Sequence, residues 1–168
     1  MSWQDELAGY MAGASKTVVL GAGSVLCGDD AAGMLVVELI QKAIGENTDC
    51  LLPLAGSTAP ENFSGVIRDY QPDLVFLIDA AYMHGTVGEI RFLDPAQIKG
   101  IDFSTHMLPL SILADYLSRE TKAQVALIGI QPASTDFDTP PCAAVQTSCQ
   151  VLAERIVFLA LPGREEMN

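Results

Sequence analysis

Two adjacent aspartates, Asp29 and Asp30, close the glycine-rich stretch Gly21-Ala22-Gly23-Ser24-Val25-Leu26-Cys27-Gly28. A third, Asp79, ends the apolar run Leu74 to Ile78, and His106, one of only two histidines, stands in Ser104-Thr105-His106. Asp30, Asp79 and His106 together are two carboxylates and an imidazole, a mixed oxygen and nitrogen donor set that leaves coordination positions open. Such a set suits a borderline divalent ion such as nickel, zinc, manganese or iron, and residue type alone does not choose among them. A carboxylate at the end of an apolar strand is costly to bury without a partner or a cation, which singles out Asp79. A carboxylate in the first turn of a helix is held ionised by the macrodipole, which makes Asp30 the candidate general base. Asp29 reads as a cap for free N–H groups of the same helix. His84, in Tyr82-Met83-His84-Gly85, reads as an exposed turn without a functional role. No serine or cysteine stands with a histidine in a nucleophile motif, so covalent catalysis is not expected.

Residues so far apart in sequence meet only if the fold gathers them. Short β-branched runs alternate with stretches of helical period, the signature of an α/β three-layer sandwich whose twisted, mostly parallel sheet of about five strands is flanked by helices. Strands are expected at Lys16 to Leu20, Cys50 to Leu54, Leu74 to Ile78 and Val125 to Ile130, with a more exposed edge strand at Gly88 to Leu93. Helices are expected at Asp30 to Ile44, closed by Gly45, at Ala59 to Tyr70, at Leu108 to Arg119, and after Pro140-Pro141. In the last of these Val145, Cys149, Leu152, Ile156 and Leu159 share one face. Residues 1–15 form an extension, expected as a short helix, and 163–168 are expected as a mobile tail. In open α/β sheets ligands bind at the carboxyl ends of the strands, and Asp30, Asp79 and His106 all fall on that edge.

The Gly21-Ala22-Gly23 turn also invites a dinucleotide reading, which the chemistry rejects. Leu26 occupies the place of the third glycine, and a phosphate at the following helix would face two carboxylates. The whole chain points the same way. It has 168 residues and a formal net charge of −12, from 9 Lys+Arg against 21 Asp+Glu. Its length fits one domain with a sizeable core, and nothing in it matches the phosphate-neutralising surface of a nucleic-acid or anionic-membrane binder. An acidic N-terminus and the lack of a long apolar run argue against a secretory signal and a membrane span. Cys27, Cys50, Cys142 and Cys149 show no CxxC spacing and read as buried, reduced thiols of a cytoplasmic protein.

The run Gly21 to Gly33 resembles the N-terminal signature of the nickel-iron hydrogenase maturation proteases, roughly G-x-G-N, four residues, then D-[DE]-G-x-G. Further matches lie in Gly56-Ser57-Thr58-Ala59-Pro60-Glu61-Asn62, Leu77-Ile78-Asp79-Ala80, Gly88-Glu89-Ile90-Arg91, Ser104-Thr105-His106-Met107-Leu108-Pro109-Leu110 and Gly129-Ile130-Gln131-Pro132. They cover about residues 17–160 in order and are closest to the branch serving formate-hydrogenlyase-type hydrogenases. The resemblance implies a cytoplasmic endopeptidase that removes a short C-terminal extension from the hydrogenase large-subunit precursor after nickel insertion. It places the metal-recognising residues on Asp30, Asp79 and His106, with nickel carried by the substrate and no organic cofactor. Ser24 stands where the family has Asn, and Ala31 where it has Gly, which bears on the loop's hydrogen bonding and backbone freedom. Two other readings of the same residues stay open: a self-contained hydrolase that keeps its own divalent ion, and a non-catalytic nickel-recognising maturation factor. The oligomeric state is open, a monomer included.

Overall fold

The alternation of apolar runs and helical stretches builds a five-stranded sheet covered on both faces. In the computed structural model, residues 1–45, 48–95 and 107–161 are described. Helix α1 is Trp3–Met11, followed by strand β1 at Thr17–Ala22, a 3-10 turn at Gly28–Ala31, and α2 at Ala32–Ile44. Strand β2 is Leu51–Ser57, a second 3-10 turn is Pro60–Phe63, α3 is Ser64–Tyr70 and β3 is Leu74–Ala80. Then come β4 at Ile90–Leu93, α4 at Met107–Glu120, β5 at Gln124–Ile130 and α5 at Ala143–Ala160.

The strands lie in the order β2-β1-β3-β5-β4. All pairings are parallel except that of β4, which runs antiparallel to β5 at the edge with Phe92 opposite Ile128. Strands β1 and β3 are buried along their whole length, as central parallel strands with helices on both faces must be. Alternate residues serve opposite layers. Val19, Phe76, Ile78 and Ile128 pack with Leu7, Val36, Ile40, Leu152 and Ile156 from α1, α2 and α5. Val18, Leu20, Val75, Leu77 and Leu127 pack with Ile67, Leu110, Leu113 and Leu117 from α3 and α4. The three-layer α/β expectation therefore stands, and so does the edge position of β4.

The N-terminal extension is a helix and part of the body. Ser2 and Asp5 close a reciprocal capping box, and Leu7 and Met11 are buried in the first core cluster. Several boundaries shift for local reasons. The expected helix from Asp30 starts as a 3-10 turn, with the Asp30 N–H on the Cys27 carbonyl, and becomes α-helical only at Ala32. Strand β2 runs through Pro53 to Ser57, which the outer position of β2 allows because a proline there forfeits no interior ladder bond. The helix expected from Ala59 begins with the 3-10 turn at Pro60. Strand β3 runs past Ile78, so Asp79 lies inside the strand, in register with Gly129. All four cysteines are free, but only Cys149 is buried; Cys27, Cys50 and Cys142 are half-buried, against the expectation of four buried thiols. Among the described residues no helix is long and apolar enough to cross a membrane. The Lys99-Gly100 loop, His106 and the 163–168 tail lie outside the described residues.

Candidate functional site

Two glycines bring the acidic residues together at the carboxyl edge of the sheet. Gly23 leaves β1 with φ +114°, its N–H on the Ser57 carbonyl, and a side chain there would overlap the Asp30 carbonyl oxygen. The same added Cβ would lie 3.2 Å from Asp79 Oδ1, so Gly23 is where the Asp30 turn and the Asp79 carboxylate both touch the end of β1. Gly33 lets the first turn of α2 sit against the Ile78 and Ala22 carbonyls, at the adjoining ends of β3 and β1. The glycine-rich signature is thus a packing device that lowers the helix start onto the two strand ends.

Asp30 is nearly buried, and its Oδ2 accepts the Ser24 N–H at 2.7 Å. Ser24 Oγ accepts the Leu26 N–H at 3.3 Å, a local turn bond that an asparagine would make with its amide oxygen. Ala31 has φ −71° and ψ −4°, an ordinary conformation for a residue with a side chain, so its departure from glycine introduces no strain. Asp79 is fully buried, and its Oδ1 accepts the Ala80 N–H at 2.8 Å. By strand alternation it falls on the face of Val75 and Leu77, the face that α4 covers. Helix α4 begins at Met107, directly after His106, and packs on β3 and β5. The structure therefore brings Asp30 and Asp79 to one place, while the third expected ligand, His106, is outside the described residues.

His84 is exposed, with φ +55° in the loop between β3 and β4, in keeping with a turn. Gln131, which sequence reasoning did not single out, braces that loop: its Oε1 accepts the Met83 N–H at 2.7 Å and the Gly85 N–H at 3.2 Å.

Asp29 departs from its expected role. It does not cap its own helix. Its Oδ1 accepts the N–H of Cys142, the N-cap residue of α5, at 2.6 Å, and its Oδ2 accepts the Ala133 and Ser134 N–H groups at 2.7 and 3.3 Å. Burial opposes its ionisation, but the N–H groups of Cys142, Ala133 and Ser134 outweigh it and hold the carboxyl below the usual carboxylate range. No local signal reveals such partners, since they stand 104 to 113 residues away. Nearby, burial, with the charges of Asp29 and Cys142 adding, pushes the Cys149 thiol up to about 12, so it stays protonated and unreactive at neutral pH.

Comparison with known proteins points to one family. Residues 34–158 match the family model described as HycI: Hydrogenase maturation protease. The Hydrogenase 3 maturation protease of Escherichia coli K12 is 33% identical over 140 residues, covering 83% of this chain and 87% of that protein. The crystal structure of a [NiFe] hydrogenase maturation protease HycI from Thermococcus kodakarensis KOD1 superposes with a TM-score of 0.84 at 35% identity, covering 92% of this chain and 98% of that one. The solution structure of an endopeptidase HycI from Escherichia coli gives a TM-score of 0.72 at 28% identity, covering 91% and 97%.

Proposed function

This chain belongs to the hydrogenase maturation protease family, and on that premise we propose that it is an endopeptidase that trims the C-terminal extension of a nickel-iron hydrogenase large-subunit precursor once nickel is in place. One observation carries the reading: the Asp30 turn and the Asp79 carboxylate meet at Gly23 on the carboxyl edge of the sheet, and the helix that follows His106 packs on β3, the strand that holds Asp79. In this reading Asp30, Asp79 and His106 reach for the nickel that the precursor already carries, so the metal belongs to the substrate and marks it as ready. The bond to be cut is then held beside Asp30, which takes a proton from the attacking water. The metal polarises the scissile carbonyl or the water. Four free thiols fit a reducing cytoplasm, and a net charge of −12 fits a protein partner rather than nucleic acid.

The test is to incubate the protein with nickel-loaded and nickel-free precursor and weigh the large subunit by mass spectrometry. Loss of the extension is expected only with nickel, and not with the Asp30→Ala, His106→Ala double variant. Cleavage indifferent to nickel, or undiminished in the double variant, rejects the proposal.

A further inference from the structure

The segment between β5 and α5 is laced to the turn that carries Asp30, and Asp29 is the knot. The Asp138 N–H donates to the Leu26 carbonyl at 2.8 Å, Cys27 and Thr139 form a parallel bridge, and the Gly28 N–H donates to the Thr139 carbonyl at 3.0 Å. The Asp29 N–H donates to the Ser134 carbonyl at 2.9 Å. Asp29 then adds the three bonds that its carboxylate accepts from Ala133, Ser134 and Cys142. The residue is 1% exposed. Its charge also sits at the N-terminus of the 18-residue helix α5, where the macrodipole favours an anion. Asp30 follows at once in the same 3-10 turn, so whatever fixes Asp29 fixes the backbone from which the Asp30 side chain projects.

We propose that Asp29 is a positioning residue for the cleavage reaction: its buried carboxylate locks residues 133–142 and the start of α5 to the Gly28–Ala31 turn, and so holds Asp30 where it must act. The inference rests on the proteolytic reading for its consequence in rate, but not for its structural content. A carboxylate suits the task because all three partners are donors. Asparagine supplies one oxygen and an NH2 group, so one side of the clamp would meet donor with donor. A change of about 1 Å in the placement of a reacting group costs about 100-fold in rate, so small play in the turn is enough to matter.

The experiment compares full-length wild type with Asp29→Asn and Asp29→Glu, the second keeping the charge while lengthening the arm. Thermal melts set an assay temperature well below each transition, and cleavage of nickel-loaded precursor gives kcat and KM separately. Amide hydrogen exchange is followed at Ala133, Ser134 and Cys142, which report the clamp, and at Ser24, which reports Asp30. The expected result for Asp29→Asn is a kcat lower by about 10- to 100-fold with KM within about threefold, and faster exchange at all four amides. Asp29→Glu changes in the same direction, and it alone is read if Asp29→Asn does not fold. Folded variants with kcat within about twofold of wild type overturn the proposal, as does unchanged exchange at Ser24 when the clamp amides are released. If the wild-type chain cleaves no precursor, the proteolytic reading falls, and Ser24 exchange still decides whether Asp29 positions Asp30.

Discussion

Asp29 and Asp30 adjoin in one 3-10 turn, yet they work on different scales. Asp29 bonds the protein to itself across 104 to 113 residues, whereas the Asp30 bond to Ser24 closes a loop only six residues away. The three N–H groups gathered by Asp29 come from a second chain segment, and they make its carboxylate a structural anion. The Asp30 backbone carbonyl lies against Gly23, where the Asp79 carboxylate also arrives. Two identical side chains side by side thus divide into one that builds the edge of the candidate site and one that, in the proposed function, serves in it.

That division can be broken experimentally. The largest effect is expected from Asp30→Ala, which should lower the cleavage rate by about 1000-fold while costing only about 1 kcal/mol in urea unfolding. Asp29→Ala should do the reverse in emphasis: orphaning three backbone donors costs about 3 kcal/mol in the same unfolding measurement. Equal stability losses in the two variants would erase the distinction.

Acid sharpens it further. Because the folded protein holds the Asp29 carboxyl below its ordinary value of 3.8, the clamp contributes its full stability above that pH and loses it as pH falls through the lowered folded value. The stability gap between wild type and Asp29→Asn, followed by denaturant titration, should therefore narrow as pH drops below 3.8. The smallest effect is expected at Ala31. Ala31→Gly should cost about 0.5–1 kcal/mol, mainly by loosening the unfolded chain, and leave the cleavage rate unchanged, since the backbone there already suits alanine.

Local pattern was enough to find the layers. Each buried strand is an apolar run, and the period of α5 places Val145, Cys149, Leu152 and Ile156 in the core, with Leu159 partly buried against it. The convergence of Asp30 and Asp79 was legible too, because the rule that parallel sheets bind at their carboxyl ends depends only on element order. The inclusion of Asp79 within β3 was not, since strand length is set by pairing with β5 rather than by the residues of β3. Asp29 was misread for a related reason: capping propensity predicts that an aspartate will satisfy N–H groups, but not whose. Gln131 stands in a run that matches the family, but its role was not legible, because a glutamine that braces a remote loop has no local signature.

The clamp between the Asp30 turn and residues 133–142 has a consequence for synthesis. The turn leaves the ribosome early, but its partners come from the last third of the chain, and the Cys142 N–H is among the last of its bonds to become available. During translation β1, α2 and β3 can begin to pair while the turn is still unfastened. The edge that carries Asp30 is completed only when β5 has docked and α5 has begun, so a nascent chain shorter than 142 residues carries the aspartates without the architecture that aims them.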